Sequence, residues 1–136
     1  MSNKVLLTGI SGWIAKHTAI ELLNSNYEVL GTVRNKNLID QTKETIGKYA
    51  STDKLSFVEL DLVKDDGWND AAKGCKYIFH IASPFPMKVS NNREILLPPA
   101  VDGTLRVLKA GVSAGVEQII KTSSIVAMFR KPNRSN

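Results

Sequence analysis

Short apolar runs alternate along this chain with stretches of helical period. Lys4 to Thr8 is an apolar run that ends at a glycine, and directly after it Ile14, Thr18 and Leu22, with Ala15, Ala19 and Leu23, recur at the spacing of one helix face. Asn24-Ser25-Asn26 breaks that helix, and Glu28 to Val33, with Val29, Leu30 and Val33 apolar, reads as a second strand. A weak helix is expected around Asp40 to Tyr49, a third strand over Leu55 to Leu60 and a short helix over Asp65 to Lys73. Tyr77 to Ala82 is nearly all apolar, as a parallel strand covered on both faces must be. Ser83-Pro84-Phe85-Pro86 then turns the chain out of the sheet.

Beyond that loop, Val101, Leu105, Leu108 and Val112 mark a long helix, in which Pro98 and Pro99 are tolerable only near the start or at a kink. Gly115 is placed to stop it, Glu117 to Thr122 forms a fifth strand, and residues 125–136 are expected to be a mobile tail. Strands alternating with helices imply right-handed crossovers and a doubly wound parallel sheet of the α/β class. The expected order is 3-2-1-4-5, with a ligand crevice between strands 1 and 4. The fifth strand then lies at an edge, and an apolar edge needs something to pair with it or cover it, which points to missing sequence or to a partner, a second copy of the chain included.

The first strand-to-helix turn, Gly9-Ile10-Ser11-Gly12-Trp13-Ile14-Ala15, carries the chemistry. A lone glycine pattern is weak evidence, but this one follows a strand, opens a helix and begins a βαβ unit. Gly9 permits a sharp turn, Gly12 lets backbone approach a pyrophosphate, and Ala15 is small enough for close helix packing. The phosphates then meet the N–H groups at the helix N-terminus. At the end of the second strand a chain that prefers NAD offers a carboxylate to the ribose hydroxyls, whereas an arginine accommodates a 2′-phosphate. Thr32-Val33-Arg34 is followed by no carboxylate before Asp40, so Arg34, with Lys36 nearby, favours NADP, with NAD possible. The competing reading of Arg34 is an exposed loop arginine.

Composition narrows the alternatives. The 136 residues fit one domain, and 43% hydrophobic with 23% charged residues is ordinary for a globular chain. No apolar stretch approaches the roughly 20 residues of a membrane-spanning helix, and the start shows no signal-peptide pattern, so a cytoplasmic protein is expected. The net charge of +5 is scattered except at Arg130, Lys131 and Arg134, which suits a phosphate-bearing ligand as well as nucleic acid; no nucleic-acid partner is expected. Cys75 is the only cysteine and reads as buried and inert; no metal site is expected.

Taken together, Thr8-Gly9-Ile10-Ser11-Gly12-Trp13-Ile14, Gly31-Thr32-Val33-Arg34, Asp61-Leu62, Gly74-Cys75, Phe79-His80-Ile81-Ala82-Ser83-Pro84 and Thr122-Ser123-Ser124 resemble the extended short-chain dehydrogenase/reductase superfamily. Within it the chain is similar to the dihydroflavonol-4-reductase and cinnamoyl-CoA reductase group, from about residue 4 to residue 125. The resemblance implies a Rossmann-type fold and an NADPH-dependent reductase of a small carbonyl substrate. It implies that Asp61 and Leu62 flank the adenine, that Ile81, Ala82 and Ser83 line the cofactor, that Arg34 meets the 2′-phosphate, and that Ser124 is catalytic. Taken without the family, Ser123 and Ser124 read as strand-end hydroxyls that satisfy local backbone.

The same family uses a Tyr-x-x-x-Lys pair after that serine, because hydride arriving at a carbonyl carbon leaves an alkoxide that needs an acid in reach. The tyrosines here are Tyr27, Tyr49 and Tyr77, all before Ser124. His17 and His80 read as structural, Asp65 and Asp66 as helix-start charges, and Trp13 and Trp68 as core or cover. The chain is therefore expected to be the cofactor-binding part of a reductase without the later strands and substrate lobe, with little turnover alone. A non-catalytic NADP(H)-binding or subunit-interaction module is the alternative.

Overall fold

The computed structural model describes residues 3–83 and 93–129. Its centre is a five-stranded parallel sheet: β1 (Lys4–Thr8), β2 (Glu28–Val33), β3 (Leu55–Glu59), β4 (Tyr77–His80) and β5 (Gln118–Lys121) in the order β3-β2-β1-β4-β5. This is the doubly wound Rossmann-type order expected from the alternating pattern. Helices α1 (Trp13–Asn24), α2 (Ile39–Gly47), α3 (Trp68–Ala72), α4 (Arg93–Ala114) and α5 (Ile125–Met128) make the connections and the final turn.

Alternation along the central strands divides the apolar residues between two cores. Val5 and Leu7 join Ala19, Leu22, Val29, Val33 and Ile46 on one face, whereas Leu6 joins Ile78, Trp68, Ala72, Val107 and Ala110 on the other. Helix α1 therefore covers one side of the sheet and α3 with α4 the other. Each fully buried leucine or isoleucine contributes roughly 1.5–3 kcal/mol by leaving water. Gly31 permits one of these packings, since a Cβ there would stand 2.5 Å from the Ile10 Cδ1.

The element boundaries differ from expectation where local hydrogen bonding or backbone geometry intervenes. The short helix starts at Trp68 rather than Asp65, because Gly67 adopts φ +85, outside the right-handed helical region. The helix expected over Asp40 to Tyr49 spans Ile39–Gly47 and is preceded by a 3-10 turn at Lys36–Leu38, with the Asn35 side chain accepting from the Asn37 N–H at 2.9 Å. β4 stops at His80, two residues early, because the next two amides turn toward a side chain of β1. Pro98 and Pro99 lie in the second turn of α4, which runs on through them to Ala114. Gly115, at φ +68, ends it as expected.

Residues 125–128 form α5, with the Ser124 carbonyl accepting from the Ala127 N–H at 3.0 Å, so the start of the expected tail is ordered as a helical turn. The remainder of that tail from Arg130, and Pro84 to Pro86 of the expected loop, lie outside the described residues. Cys75 is buried, its thiol donates to the Ala71 carbonyl at 3.3 Å, and burial pushes its pKa up, which fits an inert core residue. Among the described residues no helix is long and apolar enough to cross a membrane, and no cluster of metal-ligating side chains is found.

Candidate functional site

In a parallel sheet every strand points the same way, so the residues following β1 to β5 collect along one edge. The candidate residues are arrayed there in strand order: Asp61 and Leu62 after β3, Arg34 after β2, Gly9 to Ile14 after β1, Ile81 to Ser83 after β4, and Ser124 after β5. At a strand spacing of about 4.8 Å the row from first to last spans roughly 19 Å. The structure thus brings together on one edge residues scattered over more than a hundred positions of sequence.

The glycine turn sits at the middle of this row. Gly9 has φ +68, and a Cβ on it would stand 2.9 Å from the Ala82 Cβ, so both backbone conformation and the approach of β4 require glycine. Gly12 is the N-cap of α1 with ordinary extended angles, φ −72 and ψ 158, and is exposed. Its φ does not demand glycine, but a Cβ there would stand 3.3 Å from the Gly9 carbonyl oxygen, and the missing side chain also leaves the mouth of α1 open. Gly12 has no side chain with which to cap that helix and its first turn carries no acidic residue, so among the described residues the N–H groups of Trp13, Ile14 and Ala15 and the positive end of the helix dipole are left without a side-chain acceptor. Ser11 is half-buried, while Trp13 and Ile14 are 77% and 55% exposed. Trp13 is thus not core, and it packs edge-on against the exposed His17, with ring centroids 4.8 Å apart.

Threonine hydroxyls and one histidine fix this turn to its neighbours. The buried Thr8 Oγ1 accepts from the Ile81 N–H and the Ala82 N–H, both at 3.0 Å, and lies 2.8 Å from the His80 Nδ1. With both lone pairs occupied, its own hydrogen goes to Nδ1. The network therefore assigns His80 as neutral, with its proton on Nε2. Burial, helped by the charge of Lys121, lowers the His80 pKa to about 4, in agreement with that tautomer. On the other side the buried Thr32 Oγ1 accepts from the Gly9 N–H and the Thr32 carbonyl from the Ile10 N–H, both at 3.0 Å. Thr122 extends the pattern, its hydroxyl donating to the His80 carbonyl at 3.2 Å.

The sequence offers Thr8, Thr32 and Thr122 only as parts of motifs or strand ends, and His80 as a structural residue without a stated partner. Their signal was available in part: each is polar and lies at or next to the end of a parallel strand. Nor does the sequence single out Glu59. Register pairs Val33 with Glu59, and the Glu59 carboxylate accepts from the Lys36 N–H at 3.0 Å, so a carboxylate stands beside the Arg34 loop although none is near it in sequence. Arg34 itself is exposed, and Asp61 and Leu62 are half-buried. The Asp61 carboxylate accepts from the Val63 N–H at 3.1 Å and so also shapes its own turn.

Ser124 is exposed at the far end of the row, directly before α5. The tyrosines are elsewhere. Tyr77 opens β4, and Tyr27, which precedes β2, meets it edge-on at 6.2 Å, placing both at the opposite end of the sheet; Tyr49 follows α2 and is exposed.

Comparison with known proteins gives the family of the chain. The chain is 32% identical over 121 residues to dihydroflavonol 4-reductase of Zea mays, covering 88% of this chain and 34% of that protein. It is 37% identical over 134 residues to cinnamoyl-CoA reductase 1 of Petunia hybrida, covering 96% of this chain and 38% of that one. Among solved structures it resembles yeast methylglyoxal/isovaleraldehyde reductase complexed with NADPH, with a TM-score of 0.78, 30% identity and coverage of 91% of this chain and 38% of the other. The chain thus spans little more than a third of the length of these relatives. With a match to the family description from residue 5 to residue 135, it belongs to the NAD dependent epimerase/dehydratase family.

Proposed function

We propose that this chain holds NADPH along the strand-end row and represents the cofactor-binding part of a reductase that transfers hydride to a small carbonyl compound. The observation that carries the reading is the open, uncapped and carboxylate-free mouth of α1 at Gly12, held against β4 by Gly9 and Ala82. In this reading the N–H groups of Trp13 to Ala15 receive the diphosphate, and Ser11, Trp13 and Ile14 border it, while the Gly12 N–H closes the turn on the Gly9 carbonyl at 2.9 Å. Arg34 pairs with the 2′-phosphate, while Asp61 and Leu62 flank the adenine and Ile81, Ala82 and Ser83 line the path toward the nicotinamide. NADPH supplies the hydride when bound. Ser124, at the end of β5, orients the substrate carbonyl.

Among the described residues no tyrosine stands beside Ser124, since Tyr27 and Tyr77 lie at the other end of the sheet and Tyr49 follows α2. Binding is therefore assigned to these residues and turnover is not. The same feature favours, as second reading, a module that binds NADP(H) and associates with another chain. In this second reading the chain associates through the β5 edge, where Ile120 is 36% exposed.

Calorimetric titration with NADPH tests the reading. Binding at submillimolar concentration is expected from the chain, and Gly12→Glu, which sets a carboxylate where the diphosphate would stand, is expected to weaken it at least about tenfold without unfolding the protein. NADPH oxidation in the presence of small aldehydes is expected to be negligible. Absence of binding, or equal binding by the Gly12 variant, overturns the assignment.

A further inference from the structure

The turn after β3 is held from outside by a residue to which the row of candidate residues gives no part. Arg106 lies on α4, more than forty positions later in sequence, with its side chain only 22% exposed. Its Nη1 donates to the Leu62 carbonyl at 2.7 Å, and its Nε donates to the Asp65 carboxylate. The planar fork of a guanidinium holds both partners in one fixed geometry, whereas a lysine presents a point charge on a flexible stem.

Three further contacts act on the same five residues. The Trp68 indole N–H is shared between the Asp61 and Lys64 carbonyls, both at 3.1 Å. The Lys64 N–H donates to the Asp61 carbonyl at 3.1 Å, closing the turn. Gly103 on α4 lies so close that a Cβ there would meet the Leu62 Cβ at 3.0 Å and its carbonyl oxygen at 3.2 Å. Helix α4 therefore presses on Leu62 through Gly103 and anchors it through Arg106, one turn apart on the same helix.

We propose that Arg106 is a positioning residue for the adenosine end of the dinucleotide: from α4 it fixes the Asp61–Asp65 turn and so sets where Asp61 and Leu62 stand at the end of the row. This rests on the dinucleotide reading given above. Arg106 does not touch the ligand. It converts a solvent-facing turn into a fixed wall, so that the ligand does not bear the cost of ordering that turn when it binds.

Two probes separate a local from a general effect. 2′,5′-ADP engages the adenosine end, whereas inorganic pyrophosphate engages only the mouth of α1. For Arg106→Ala the dissociation constant of 2′,5′-ADP is expected to rise roughly tenfold, the size of one charge-assisted hydrogen bond. Pyrophosphate-induced amide shifts at Gly12 to Ala15 are expected to titrate within about twofold of the parent. Arg106→Lys, which keeps the charge and loses the fork, is expected to fall between, and Asp65→Asn to weaken 2′,5′-ADP less than Arg106→Ala does. An unchanged affinity for 2′,5′-ADP, or an equal loss for both probes, overturns the proposal. A parent chain that binds neither probe instead overturns the dinucleotide reading beneath it.

Discussion

β1 and β5 are short apolar strands of one parallel sheet with opposite fates. Val5, Leu6 and Leu7 of β1 are fully buried, whereas β5 leaves Ile120 36% exposed and Ile119 only half-buried. Their own apolarity is similar. The difference lies in their neighbours: β1 is hydrogen-bonded on both sides, to β2 and β4, and covered on both faces, while β5 pairs with β4 alone among the described residues. The strand ends repeat the contrast. Thr8 is sealed under three hydrogen-bonding partners beside the glycine turn, but Thr122 and Ser124 stand exposed. The glycine turn after β1 is thus tied into the core, and the end of β5 is not.

Truncation breaks the comparison most strongly. Leu6→Ala is expected to cost about 3–5 kcal/mol in urea unfolding, because the cavity opens in a fully packed core. Ile120→Ala at the edge is expected to cost less than about 1 kcal/mol. Losses of equal size would mean that β5 is covered in solution, by a second copy or another partner.

The buried end of β4 adds a pH dependence. The His80 pKa is lowered to about 4 in the fold, below the ordinary value of 6.5, so the unfolded chain takes up this proton first. Its contribution is therefore fully present above pH 6.5, is lost as pH falls from 6.5 toward about 4, and levels off below that. The loss amounts to about 3 kcal/mol over the window. His80→Asn, which offers the Thr8 hydroxyl another acceptor, is expected to remove this slope from stability measured against pH. A slope identical in both proteins would contradict the neutral tautomer.

The smallest effect is expected at the open end. Ser124→Ala is expected to change stability by less than about 1 kcal/mol and to leave NADPH affinity unaltered. A large loss in either measurement would show that this end is enclosed and take away the contrast with Thr8.

Much of this was legible from residue order. Alternating apolar runs and helical periods located all five strands and the long helix, and connection rules put the strands in the observed order. Gly9 was identifiable because a sharp strand-to-helix turn needs a residue free to take positive φ, and Gly12 because only a missing side chain leaves a helix mouth open. Less legible were the ends of elements. Tyr77 to Ala82 looks like continuous strand in sequence, yet Ile81 and Ala82 leave it, because a hydroxyl seventy residues away captures their amides.

The sequence by itself determined the sheet, its order and the glycine turn, since these follow from local period, chirality and backbone freedom. Only the tertiary structure decided which polar groups hold that turn and which strand stays open. Thr8 with His80, Thr32 with Gly9, Glu59 beside Lys36 and Arg106 against Leu62 are pairs brought together by strand register and helix packing. A hydrogen bond across such separations depends on distances of a few tenths of an ångström, which no residue pattern encodes until the chain has closed around its core.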